Sequence, residues 1–431
     1  MLFYLIIIFI SLYLFIVLKR AQKYKYDTSK DYLYNLKTAE QEEIKIHNSS
    51  IDISNKYKQY DTLFLKIDLA FHPISYLLKP FIEIEGQKHY FEYGAQGIRY
   101  INLSHIKDQH LRLEQRNLRL KNDYVTLYGY TNNIDLSKKI LILAPHADDA
   151  EIAAFGVYKS AKDVTIVTTT IGEHGVCNYC DIYDDKREAS LKKAELRTFD
   201  ALNVPLLGDV EQANSLTLGY YGGSLKWMQE HPNEKAVSLV KEFGDMNHFR
   251  KVSHSHIQLP EHVQPRHDSF LNDLEMILSQ VKPDYIVTPH PAIDSHPDHK
   301  YTTYALIAAV KKTELPCKLL TYTNHLSLSE TYPVGPMHVA VTLPPNLSDF
   351  YFDGLYSFEL DTDLQKDKFF ALEAIHDLRD SLVSISIKKA YKQLNRMIKR
   401  AVSGKDKSYF KRAVRANELF FVVESENIDR L

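Results

Sequence analysis

The sequence is poor in cysteine, with only Cys177, Cys180 and Cys317 among 431 residues. An odd and sparse set excludes a disulfide-built scaffold. Cys177-Asn178-Tyr179-Cys180 is a lone CxxC, and no second pair completes a four-thiolate metal site. It is able to hold a metal or form a redox pair, but two free thiols in a loop is the simpler reading. Charge of one sign is also lacking. A formal net charge of -2 removes any global case for nucleic acid as a partner. There is no internal repeat and no low-complexity tract. Glycine is missing where a nucleotide-binding turn needs it, because the first strand-to-helix turn reads PHADDAE and its carboxylates would repel a pyrophosphate. The amino-terminal segment lacks the basic start and small-residue cleavage site of a secretory signal.

That segment, LFYLIIIFISLYLFIVL from Leu2 to Leu18, is apolar throughout except for Ser11 and two tyrosines. A spanning helix needs about 17–25 residues, so an uncleaved anchor over 1–19 is expected. Lys19, Arg20, Lys23 and Lys25 follow, and the positive-inside rule places the remainder in the cytoplasm. Residues 20–60 are polar and read as a stalk. Between 61 and 135, LFLKIDL, FIEIE and YVTLYGY alternate or are β-branched and aromatic, which predicts a small β-rich domain. Its ligand is not legible. A carbohydrate-binding module and a plain spacer both fit.

Residues 136–345 have α/β character. Ile140 to Leu143 is a short apolar run, expected as a buried strand of a parallel sheet. It ends at His146, Asp148 and Asp149, and a helical pattern follows. A second strand-like run, Asp284 to Pro289, leads into His290, Asp294, His296, Asp298 and His299, with a helix starting near Pro297. In open α/β sheets the carboxyl edge of the strands is where ligands bind, so the two clusters meet at one edge. A histidine taken singly is more often structural than catalytic, and His72, His89, His110, His231 and His248 are read that way. His290 and His376 are intermediate. Residues 346–431 are read as a helical extension. It carries an apolar stripe at Ile387, Ala390, Tyr391, Leu394 and Ile398, basic residues around it, and ELFFVV as a closing strand.

His146-Ala147-Asp148-Asp149 resembles the HPDD motif of the PIG-L/LmbE-like zinc-dependent N-deacetylases, and His296-Pro297-Asp298-His299 is similar to that family's downstream HPDH motif. The sequence departs from the pattern at Ala147, where the family usually has proline, and at Lys192, near where it often has a substrate-binding arginine. The resemblance implies a deacetylase domain with a Rossmann-like sheet. It implies His146, Asp149 and His299 as metal ligands and Asp148 as general base. His296 is implied as an imidazolium facing the developing oxyanion, with Asp298 orienting it. Lys192, Arg187 and Asp294 are the candidate substrate contacts. Zinc is the implied metal, and a two-histidine, one-carboxylate set also suits ferrous iron. The expected activity is removal of an N-acetyl group from an N-acetylhexosamine-containing glycan or glycolipid at the membrane. An amidase acting on another N-acyl substrate is the alternative within hydrolases. A non-catalytic carbohydrate-binding membrane protein is the alternative outside them.

Overall fold

The computed structural model describes residues 2–36, 40–378, 408–431 and a few positions between 391 and 402. Of the expected apolar stripe, Ile387 and Ala390 lie outside the described residues, and Tyr391, Leu394 and Ile398 are exposed. The helix Leu2–Ala21 is long and apolar enough to cross a membrane. The chain divides into two compact units. One comprises residues 1–133, 326–349 and 385–417, and the other residues 134–325, 350–384 and 418–431.

The first unit is rich in antiparallel strands. Thr62–Ala70 pairs on one side with Tyr124–Tyr130 and on the other with Gly97–Asn102. The three segments expected as strands are strands, and their inward residues Leu65, Ile67, Ile82, Ile84, Val125 and Leu127 form one core. The expected stalk is corrected over its second half. Glu40–Lys45 pairs antiparallel with Tyr124–Tyr130, and Ser50–Asp52 pairs with His110–Arg112. The first of these reads EQEEIK, with Ile44 the only buried side chain. Charge of this kind belongs to an edge strand, where it discourages pairing with other chains, and it masks the strand in the sequence.

His89 lies in the strand Gln87–Tyr90, fully buried, with no hydrogen-bond partner on either ring nitrogen. Burial pushes its imidazole down to about 3. A depressed histidine contributes stability that is present above the unfolded value near 6.5 and is lost as pH falls toward the folded one. Between pH 6.5 and 4.5 the native chain should lose on the order of 2–3 kcal/mol from this group alone. In urea titrations His89→Leu should flatten that part of the stability profile. An unchanged acid slope in the variant would assign the loss to other groups.

The second unit is built on a seven-stranded mixed sheet. Its strands are β1 (Lys139–Ala144), β2 (Asp163–Thr170), β3 (Ser215–Tyr220), β4 (Tyr285–Pro289), β5 (Lys318–Tyr322), β6 (Gly354–Glu359) and β7 (Asn417–Glu424). The order is β3-β2-β1-β4-β5-β7-β6. The first five are parallel, with Ile142 level with both Ile166 and Val287, and β7 runs antiparallel to β5. Helices α1 (Asp149–Ser160), α2 (Lys186–Asn203), α3 (His267–Val281), α4 (Pro297–Thr313) and α5 (Thr362–Ala374) complete the unit. Chain order reverses between β1 and β4, the position where doubly wound sheets open a crevice.

The expectation of a helical extension over 346–431 is corrected by β6, a strand of this sheet, while the closing strand expected at ELFFVV is β7. Helical conformation breaks inside α1 at Ala154 (φ -141°, ψ 21°). The N–H groups of Gly156 and Val157 donate to the Glu418 carboxylate at 2.9 and 3.1 Å. An anion suits such a restarted helix end, whose N–H groups otherwise lack partners. Glu418, on β7, is itself paired with buried Lys368 of α5 at 2.7 Å.

Candidate active site

Chain turns at the carboxyl ends of β1, β4 and β5 bring the site together. Beyond β1 come His146, Asp148 and Asp149. Beyond β4 come Asp294, His296, Asp298 and His299, and beyond β5 come Asn324 and His325. Asp149 Oδ2 lies 3.2 Å from His146 Nδ1 and 3.1 Å from His299 Nε2, and the two nitrogens are 3.2 Å apart. Tetrahedral bonds of about 2.0–2.2 Å to one ion require donors about 3.3 Å apart, which this triangle nearly meets. The same three residues supply two imidazoles and one carboxylate, the set of an open catalytic metal site.

Each member of the triangle is held from behind. His299 Nδ1 meets Asp294 Oδ2 at 3.1 Å, and Asn324 Nδ2 donates to Asp149 Oδ1 at 2.7 Å. His146 Nε2 meets Asp298 Oδ2 at 3.3 Å, and the Gly223 N–H donates to that same oxygen at 2.7 Å. Such outer partners fix which ring nitrogen faces a metal. Burial alone would raise the Asp294 carboxyl, but the His299 imidazole outweighs it and holds the group at about 2. Burial would likewise depress His299, yet Asp149 and Asp294 lift it well above the usual histidine range. Histidines and carboxylates gathered this closely form groups that could hold a metal ion.

Two roles are corrected by this geometry. Asp298 was expected to orient His296, but its carboxylate faces His146 and Gly223. Burial and the neighbouring His146 and His299 push the His296 imidazole down to about 3, which favours the neutral ring over the expected imidazolium. Its Nδ1 accepts from the Asp298 N–H at 3.2 Å as the cap of α4, which leaves the proton on Nε2. The ring stands edge-on to His146 at 4.6 Å between centroids.

The expected substrate contacts fare differently. Asp294, expected among the substrate contacts, is fully buried and pairs with His299 Nδ1 at 3.1 Å. Lys192 pairs with Glu195 at 2.8 Å on the solvent face of α2, and Arg187 is exposed beside Asp185. The inward cations of α2 are instead Lys193 and Arg197, one helical turn apart and buried. Arg197 Nη2 lies 3.4 Å from Asp148 Oδ1. The face Ala189, Ser190, Lys193, Ala194, Arg197, Thr198, Ala201 carries small residues around two cations. That pattern is visible in the sequence and marks them as inward. His325, whose ring lies 5.4 Å from His296 and 5.0 Å from His299, also went unread. It follows the short apolar strand KLLTY, so the strand-edge rule that found the other clusters reaches it too. His290 is a packing residue, fully buried with its ring edge-on to Phe350 and Phe421.

The loop after β2 holds a further correction. Cys177 and Cys180, read as free thiols, form a disulfide. Their Cα atoms are 5.6 Å apart, within the range such a bond requires.

Residues 141–310 match the PIG-L family, described as GlcNAc-PI de-N-acetylase. No curated protein matches the chain. Among solved structures it is similar to N,N'-diacetylchitobiose deacetylase from Pyrococcus horikoshii. The two share 19% identity over 68% of this chain and 85% of that one, with a TM-score of 0.34. It is also similar to the zinc-inhibited form of a teicoplanin deacetylase, at 14% identity over 67% of this chain and 99% of that one, with a TM-score of 0.34. A third likeness is to 4-carboxy-2-hydroxymuconate hydratase from Pseudomonas putida, at 12% identity over 66% of this chain and 95% of that one, with a TM-score of 0.31. Both motifs at the crevice fall inside the matched segment, and over residues 141–310 this chain carries a domain of the PIG-L family.

Proposed function

We propose that this chain is a membrane-anchored, zinc-dependent N-deacetylase acting on an N-acetylated hexosamine carried on a lipid-linked glycan. The observation that carries the reading is the convergence of His146 Nδ1, Asp149 Oδ2 and His299 Nε2, with the carboxylate of Asp148, next to Asp149 in the chain, paired with Arg197 at 3.4 Å. Those three residues are assigned as the zinc ligands. Zinc bound there supplies a Lewis acid that lowers a water's pKa to about 7 and polarises an amide carbonyl.

The chain's own groups divide the remaining work. Asp148 removes a proton from the attacking water. His296 donates from Nε2 to the oxygen that gains charge, a placement favoured in a water-poor site. The C–N bond then breaks, and Asp148 returns the proton to the departing amine. Acetate and a free amino sugar are the products. Asp294, Asp298 and Asn324 keep the three ligands in position.

The anchor supports a lipid-linked substrate. Confining enzyme and substrate to one thin layer raises their effective concentration, which gains little for a freely diffusing sugar. Lys19, Arg20, Lys23 and Lys25 support a cytoplasmic catalytic unit. The test compares the full chain with residues 26–431 on a lipid-linked and a water-soluble N-acetylglucosamine conjugate. Release of acetate from both is expected, and truncation should lower the activity ratio in favour of the soluble one. An unchanged ratio would refute the lipid-linked substrate. Failure to deacetylate either conjugate would refute the activity. A carboxyl-terminal reporter active only outside the cytoplasm would reverse the orientation.

A further inference from the structure

Asp377 lies partly buried in a one-turn segment, His376–Leu378, just after α5. It lies outside the PIG-L match, and the proposed chemistry gives it no part. Yet its carboxylate accepts two hydrogen bonds and faces a further cation. Arg197 Nη1 donates to Oδ2, Asn178 Nδ2 donates to Oδ1 at 2.9 Å, and Lys193 Nζ stands 3.8 Å away. The second arm of Arg197 reaches Asp148 Oδ1 at the long distance of 3.4 Å. One guanidinium is thus shared between the proposed base and Asp377. Neighbouring parts fix this arrangement. His376 binds Asp200 of α2 through its N–H at 2.9 Å and its Nδ1 at 2.6 Å. Gly172, at φ +59°, leaves room for the guanidinium, since a Cβ there would stand 2.5 Å from Arg197 Nε.

Asn178 is one of the two residues enclosed by the Cys177–Cys180 disulfide, and Cys180 is exposed. A reductant therefore has access to the bond. In a reducing cytoplasm a disulfide is usually transient and serves catalysis or redox sensing, and the basic flank of the anchor favours that compartment.

We propose that Asp377 is a positioning residue for Asp148, acting through Arg197, and that the Cys177–Cys180 disulfide governs its hold through Asn178. The inference rests on Asp148 being the base. While Asp377 holds Arg197, the guanidinium touches Asp148 only at the long range of 3.4 Å. Once Asp377 loses its grip, Arg197 closes on Asp148 as a tight pair and draws the carboxylate out of position, where a small misplacement costs rate. Reduction by a dithiol breaks the Sγ–Sγ bond, delivers two electrons and two protons to Cys177 and Cys180, and closes a disulfide in the donor. The four-residue ring then opens, and Asn178 is no longer held against Asp377.

The test measures kcat, KM and bound metal on the full chain, with and without a phosphine reductant. Asp377→Asn should lower kcat roughly ten- to hundredfold, the scale of a small misplacement in an active site, with KM and metal content unchanged. Asp377→Glu should recover part of the loss. In the native chain the phosphine should lower kcat alone, and reoxidation should restore it. Asn178→Ala and the double variant Cys177→Ser/Cys180→Ser should sit at the reduced level and ignore the phosphine. Asp377→Asn with kcat within twofold of native would overturn the positioning role. A native chain indifferent to the phosphine, or a double-serine variant equally slowed by it, would overturn the redox control. Normal turnover in Asp148→Asn would instead refute the base assignment itself.

Discussion

His146→Ala and His299→Ala should each leave a folded chain with no stoichiometric metal and hydrolysis reduced at least about a thousandfold. The two residues lie more than 150 positions apart in the chain, yet their facing nitrogens are 3.2 Å apart and each is 3.1–3.2 Å from one oxygen of Asp149. Loss of one imidazole leaves a bidentate site, too weak to keep an ion through dialysis. The pockets the two substitutions create differ. His299 is fully buried and also binds Asp294, so its loss strands a buried carboxylate and should lower thermal stability as well. His146 is 9% exposed and should be the milder change for the fold. Elemental analysis of both variants decides the matter. Full occupancy in either would sink the assignment of its histidine as a ligand.

Asp148→Asn is expected to lower kcat by roughly 10²–10⁴-fold, the usual scale for removing a general base, while metal content and KM stay near native. The substitution keeps the shape and size of the side chain. It removes only the charge that accepts a proton and the attraction for Arg197 at 3.4 Å. Asp148 touches none of the three proposed ligand atoms at hydrogen-bond distance, so the metal triangle has no reason to open. Turnover close to native would show that the proton leaves by another route. Loss of metal together with activity would place Asp148 among the ligands.

The parts legible in the sequence were those with a local signature. Ile140 to Leu143 and Asp284 to Pro289 announce buried parallel strands by their apolar runs, and the polar clusters beyond them announce the sheet edge. His146, Asp149 and His299 were reachable on that logic joined to the motif resemblance. What was hidden depended on distant partners or on a face. Asp377 looks like any acidic residue after a helix, and only the folded chain brings Arg197 and Asn178 to it. Lys192 and Lys193 are adjacent in sequence and point oppositely on α2. Glu40–Lys45 is concealed by its own charge. The role of Asp298 turned on a side-chain direction, toward His146 instead of His296, which no spacing rule encodes. The disulfide followed from local loop shape, to which a lone CxxC gives no guide.

The position of β7 sets a timetable for synthesis. Its partner β5 ends at Tyr322, and β7 begins at Asn417, about 95 residues later. A ribosome adding about 5–20 residues each second needs roughly 5–20 s to cover that distance. Throughout that interval the parallel half of the sheet has an open edge at Leu319, Leu320 and Thr321, residues fully buried once the chain is complete. Unpaired apolar edges of this kind recruit strands from other chains. The nascent protein is therefore most exposed to misassembly late in its translation, after both catalytic motifs have already emerged.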